Sequence, residues 1–213
     1  MCRLALMNNA GIRYVEEKYG LENLFNHLER QLGGHGNGIC FIYNDGSCFI
    51  RKGVNLTNAE IAEEVLMKIK HVKWIIYHTR LASVGNINDR NCHPFYNNGR
   101  VMAMNGTERN YTVVNEKLTD TENILLSTEN IAKGTREYHS VFLGYENGKV
   151  FANKNYGSLE YMPCENGGRV FASTFPIEYY VRDMIYEAPQ HFVEGAKMIP
   201  LESAKRNRKY AWS

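Results

Sequence analysis

The chain has no apolar run of membrane-spanning length and no signal-peptide pattern, so neither a membrane role nor secretion is expected, and the cytosol is the expected compartment. It also lacks any Cys-x-x-Cys pair. Its five cysteines, at positions 2, 40, 48, 92 and 164, are odd in number and irregularly spaced, which favours reduced thiols over a disulfide framework. A strong charge of either sign is missing too. The formal net charge is +2, and the one concentrated basic run, in LESAKRNRKYAWS, reads as a solvated tail over 204–213 rather than a nucleic-acid patch. No linker, low-complexity tract or internal repeat divides the chain. With 213 residues and 44% hydrophobic content it is expected to bury one core, as a single domain over residues 2–213.

What is present is strongly patterned. ICFIYNDGSCFIRKG places two β-rich runs around Asn44-Asp45-Gly46, residues that accept the positive φ of a tight turn. HSVFLGYENGKVFAN repeats the design around Asn147-Gly148, and YMPCENGGRVFAST around Asn166-Gly167-Gly168. Between these hairpins stand amphipathic helices. LENLFNHLERQLGG sets Leu21, Leu24, Phe25, Leu28 and Leu32 on one face, with Gly33 placed to end it. TNAEIAEEVLMKIK and TDTENILLSTENIAKG each begin with a capping box, Thr57 with Glu60 and Thr119 with Glu122, and PIEYYVRDMIYEA puts Pro176 at a first helical position. Antiparallel hairpins with amphipathic helices predict an α+β layered domain.

The opening MCRLALMNN carries the first chemical signal. Removal of Met1, which a small second residue permits, would leave Cys2 with both a thiol and a free α-amine. Cys2, Leu4 and Leu6 alternate with Arg3, Ala5 and Met7, the period of a strand, and a terminal strand would hold that amine in place. In WIIYHTRLASVGNINDRNCHPF, a strand from Trp74 to Tyr77 delivers His78, Thr79 and Arg80 to a loop rich in Gly, Asn and Asp. In VMAMNGTERN, a strand from Arg100 to Met104 runs into Asn105-Gly106. That pair reads equally as a hairpin turn or as two donors, the Asn amide and the Gly N–H, for an oxyanion formed in acyl transfer. Asp120, in LTDTE, reads either as a carboxylate favoured at a helix start or as the partner of a substrate ammonium.

Taken in order, the terminal Cys, HTR with its Gly-containing sequel, the N-x-H-P-F segment, Asn-Gly after a strand and the TDTE helix start resemble the class II glutamine amidotransferases, which are N-terminal-nucleophile hydrolases. The resemblance runs from MCRLAL through GGHGNGICFIY to APQHFVEGAKMIPLE, which is similar to the family's closing strand, turn and strand, and so covers nearly the whole chain. It implies a four-layer αββα sandwich of two antiparallel sheets between helices. It also implies that Cys2 is the nucleophile with its own α-amine as base, that Asn105 and Gly106 form the oxyanion hole, that Arg80 holds the glutamine carboxylate and Asp120 its ammonium. No cofactor or metal is implied. Glutamine or another γ-glutamyl compound would be the substrate, and a separate synthetase or amidoligase subunit would receive the ammonia. The chain departs from the family at Leu81 and Val84, where many members have an aromatic residue and a His, at Met104, where many have His, and in an entry loop with His35 and Asn37. Three alternatives remain open on sequence: a stand-alone amidase or hydrolase of another γ-glutamyl compound with no acceptor subunit, a metal-binding module built from His78, Cys92, His93 and His35, and a non-catalytic binding domain if Met1 is retained.

Overall fold

Strict alternation in the first strand determines how the layers stack. In β1 (Arg3–Asn8), Leu4 and Leu6 face one way and Ala5 and Met7 the other, and all four are fully buried, so this strand is covered on both faces. The computed structural model describes residues 2–195. After β1 come α1 (Asn9–Tyr19), α2 (Leu21–Leu32), the hairpin β2 (Asn37–Tyr43) and β3 (Cys48–Gly53), α3 (Asn58–Lys68) and β4 (Val72–Thr79). The middle of the chain forms β5 (Phe95–Asn97), β6 (Arg100–Asn105), α4 (Asp120–Ser127), α5 (Ile131–Gly134), and the hairpin β7 (Val141–Glu146) and β8 (Lys149–Lys154). It closes with β9 (Glu160–Pro163), β10 (Arg169–Ala172), α6 (Ile177–Arg182), β11 (Tyr186–Glu187) and β12 (His191–Val193).

The strands form two antiparallel sheets, of order β11-β9-β10-β1-β4-β2-β3 and β12-β8-β7-β6-β5. Three apolar layers glue them. Ala5 and Met7 join Ile12, Leu24, Phe25 and Leu28 of α1 and α2 on the outer face of the larger sheet. Leu4, Leu6 and Ile76 meet Val101, Ala103 and Leu143 between the sheets. Met102, Met104 and Phe142 pack under Ile124, Leu125 and Ile131 of α4 and α5. The result is the expected four-layer αββα sandwich. Truncating Leu4 or Leu6 to Ala would remove contacts from the central layer, a change that costs about 2 to 5 kcal/mol in such cores.

The three expected hairpins form, and both capping boxes close with reciprocal bonds at Thr57/Glu60 and Thr119/Glu122. Several details differ from the sequence reading. Pro176 is the N-cap of α6 and not its first helical residue. Gly33 ends α2, but in an extended conformation, and its lack of a side chain lets Thr79 approach, since a Cβ there would lie 2.3 Å from Thr79 Oγ1. The strand read from Trp74 to Tyr77 begins at Val72 and continues through His78 and Thr79. A fourth hairpin, β5 to β6, turns at Asn98-Gly99, both with positive φ, and α1 was not foreseen. The turn after β12 is present at Glu194-Gly195, while the strand expected beyond it and the basic run over 204–213 lie outside the described residues.

Candidate active site

Cys2 sits at the head of β1, between β10 and β4, and is 7% exposed. Its nitrogen donates to Asn105 Oδ1 at 2.9 Å. Leu81 N–H donates to its Sγ at 3.4 Å, and Arg3 Nη1 donates to its carbonyl at 3.1 Å. Burial pushes the Cys2 thiol above its usual range, opposed by the Leu81 amide and by the nearby Arg80 charge. A thiol so placed needs a base close by to become a nucleophile.

Asn105 and Gly106 end β6, where the strand runs into the long loop before α4. They are not a hairpin turn: β6 pairs with β5 on one side and β7 on the other, and the chain does not reverse at this pair. Gly106 has φ +154°, and a Cβ there would lie 2.0 Å from Ser140 Oγ, so only glycine fits. Since Asn105 Oδ1 accepts from Cys2, its amide donors face away from that nitrogen, and they bond no described residue.

Behind this pair two histidines hold the strand end. Met104 N–H donates to His93 Nδ1 at 3.3 Å, and His78 Nε2 lies 3.1 Å from the Met104 carbonyl. The two rings stack with centroids 4.2 Å apart. Together they stand in for the strand that β5, only three residues long, does not extend far enough to supply. Burial holds both imidazoles neutral, lowering His78 to about 3 and His93 well below its usual value.

Arg80 follows β4 and is 3% exposed. Its guanidinium donates to the carbonyls of Asn86 at 2.8 Å and Val84 at 2.7 Å, so it also shapes the loop that follows it. Among the described residues it makes no ion pair. The glycine-rich segment before β2 grips its main chain: His35 N–H donates to Arg80 O, Arg80 N–H to Gly36 O, and Ala82 N–H to His35 Nδ1. Asp120 opens α4, buried, with its carboxylate accepting from Glu108 N–H at 3.0 Å and Thr121 N–H at 2.9 Å. Burial raises its pKa, against those two donors. It has no cationic partner among the described residues, which leaves a buried carboxylate and a buried guanidinium each lacking a counter-ion.

Cys2, Arg80, Gly106 and Asp120, together with Leu81 and His93, line one narrow cleft of about 20 Å³. That is room for roughly one water. Ser83, which lines the cleft, is hydrogen-bonded through Oγ to Thr107 Oγ1 at 2.8 Å, joining the loop after β4 to the loop after β6. All five residues singled out by sequence therefore gather at one place. Leu81, Arg3 and the two histidines were missed as participants, the first because a backbone N–H leaves no signature in sequence.

The metal-module alternative does not assemble. No group of three or more His, Cys, Asp or Glu converges among the described residues. His35 Nδ1 is taken by Ala82, His93 Nδ1 by Met104, and Cys92 Sγ points to the Asn88 carbonyl at 3.5 Å.

Three solved structures share this architecture over most of the chain. A glutamine aminotransferase class-II domain protein from Silicibacter pomeroyi superposes with TM-score 0.53 at 12% identity, covering 90% of this chain and 98% of its own. The chain has the fold of class II glutamine amidotransferases. Glutamine phosphoribosylpyrophosphate amidotransferase from B. subtilis matches with TM-score 0.53 at 15% identity over 91% of the chain, and an allosteric regulatory enzyme of purine biosynthesis with TM-score 0.54 at 18% over 91%. This fold makes up about half of those two enzymes, of which 49% and 48% are covered. The sequence matches no protein-family model and no curated protein. No helix among the described residues is long and apolar enough to cross a membrane.

Proposed function

We propose that the chain is an N-terminal cysteine amidohydrolase of the glutamine amidotransferase type, a single cytosolic domain over residues 2–213 that acts once Met1 is removed. The observation that carries this reading is the bond from the Cys2 nitrogen to Asn105 Oδ1, in a cleft shared with Arg80, Gly106 and Asp120. A free amine at that nitrogen, with a reference pKa of about 7.7 to 8.0, takes the thiol proton as Sγ attacks the side-chain amide carbon of glutamine. Asn105 Nδ2 and the Gly106 N–H donate to the oxyanion. The C–N bond then breaks, the amine passes its proton to the leaving nitrogen, and a γ-glutamyl thioester remains for water to hydrolyse. Arg80 receives the α-carboxylate and Asp120 the α-ammonium, completing the two ion pairs that the described residues leave open. The ammonia passes to a separate synthetase or amidoligase subunit, whose copurification tests that part of the reading.

The direct test is intact-mass analysis of protein treated with an electrophilic glutamine analogue. One adduct is expected, on an N-terminal Cys2, with loss of glutaminase activity in parallel. Full activity in protein shown to retain Met1 overturns the mechanism.

A further inference from the structure

The chemistry just proposed has a direction. The thiol proton travels through the Cys2 amine to the departing nitrogen, so the leaving half of the substrate must lie on the amine's side of Cys2. On that side the protein is not closed. Asn105, which holds the amine, and Arg3, which donates to the Cys2 carbonyl, both line a second cavity of about 430 Å³, bordered also by Gly106, His139, Tyr156 and Ser158. Ammonia needs a small fraction of that space, since a water molecule occupies about 30 Å³ in the liquid.

The cavity also has a charge without a partner. Arg3 makes no ion pair among the described residues, its bond to Cys2 O is its one hydrogen bond there, and its Nε is buried with no acceptor. The remaining guanidinium donors match a carboxylate in a fork geometry. Among the described residues no carboxylate side chain lines the cavity to neutralise it.

We propose that this cavity is a leaving-group subsite, and that besides glutamine the enzyme takes γ-glutamyl amides whose amine half carries a carboxylate, that is, γ-glutamyl amino acids or peptides. The proposal rests on the reading of Cys2 as the acylated nucleophile. The γ-glutamyl end occupies the cleft between Arg80 and Asp120, the scissile carbonyl oxygen lies at Asn105 and Gly106, and the amine half extends past Arg3 toward Tyr156. Attack by Sγ forms the S–C bond and breaks the C–N bond. The proton from the thiol goes to nitrogen, the free amino acid departs, and water then cleaves the thioester to glutamate and restores the thiol. No oxidant, reductant or further reactant is required.

The test compares kcat/KM for γ-glutamylglycine with that for γ-glutamylpropylamide, which is nearly the same size but lacks the carboxylate. Using a ratio cancels any change at Cys2 itself. A charged hydrogen-bonded contact predicts a ratio of about ten or more in wild type and a fall of about tenfold in Arg3→Gln, carried mainly by KM for the charged substrate. Ser158→Asp, which sets a negative charge in the same cavity while leaving Arg3 and β1 unaltered in sequence, is expected to lower the ratio as well and serves if Arg3→Gln does not fold. A wild-type ratio near one, or a ratio unmoved by the variants, with glutamine still hydrolysed, overturns the subsite and leaves the glutaminase reading standing. No hydrolysis of any γ-glutamyl compound, glutamine included, overturns both.

Discussion

The paired histidines behind the oxyanion-hole candidates predict a specific acid sensitivity. His78 is fully buried and its pKa is lowered from 6.5 to about 3, first by burial and then by the charges of Arg80 and Lys52, against the bond to Met104 O. The folded protein thus keeps the ring neutral where the unfolded chain would protonate it. Because the folded pKa is depressed, the stability is intact above pH 6.5 and is lost progressively as pH falls toward 3. Between pH 7 and pH 4.5 the proton bound only by the unfolded chain removes about 2.5 kcal/mol, close to 1.4 kcal/mol per pH unit below 6. His93, 4.2 Å away and shifted in the same direction, adds to that loss. His78→Gln preserves a donor for the Met104 carbonyl but cannot take up a proton. Urea unfolding at pH 7, 6, 5 and 4.5 should show the wild type losing about 2.5 kcal/mol more than this variant across the range. Equal pH slopes in the two proteins would show that His78 is solvated, and the account of how β6 is held would fail with it.

Other outcomes follow from the same geometry. Asn105→Ala should lower kcat about 100 to 1000-fold with little change in KM, the usual effect of removing one oxyanion donor, and steady-state glutaminase kinetics beside thermal unfolding separates this from loss of fold. Gly106→Ala should be inactive and less stable, since its Cβ would lie 2.0 Å from Ser140 Oγ; a melting temperature equal to wild type refutes the close approach. Arg80→Lys should raise KM for glutamine, because an ammonium lacks the planar fork that binds a carboxylate and the carbonyls of Val84 and Asn86 together; unchanged KM rejects the assignment. Asp120→Asn should weaken glutamine binding but not binding of the analogue without the α-amine, as competition assays would report.

The layered fold was legible because its signals are local. Turn residues at Asn44-Asp45-Gly46 and Asn147-Gly148, and capping boxes at Thr57 and Thr119, specify their own conformations within a few residues. The hairpin at Asn98-Gly99 carries the same turn signal, but one of its strands, β5, is only three residues long and shows no alternation of its own. Helix α1 was hidden because it follows β1 with no intervening turn, its N-cap Asn8 being also the last residue of that strand. The site residues were found as a set from their order along the chain. What could not be read was the contact between distant segments: Cys2 with Asn105, 103 positions apart, and the Leu81 amide at Sγ. Arg3 was invisible for the same reason, since its significance depends on a cavity formed by residues near 105, 139 and 156.

The hydroxyl bridge between Ser83 and Thr107 bears on how often the cleft stands open. It is one neutral hydrogen bond joining two loops, with a net worth of about 1 kcal/mol. If that bond sets the balance, closed and open forms differ by about fivefold in population, so roughly one molecule in six is receptive at any instant. The observed dissociation constant would then exceed the intrinsic one by only about sixfold. Opening at this level takes less than tenfold from affinity, and occupancy of the cleft depends on how well the substrate's two charged ends satisfy Arg80 and Asp120.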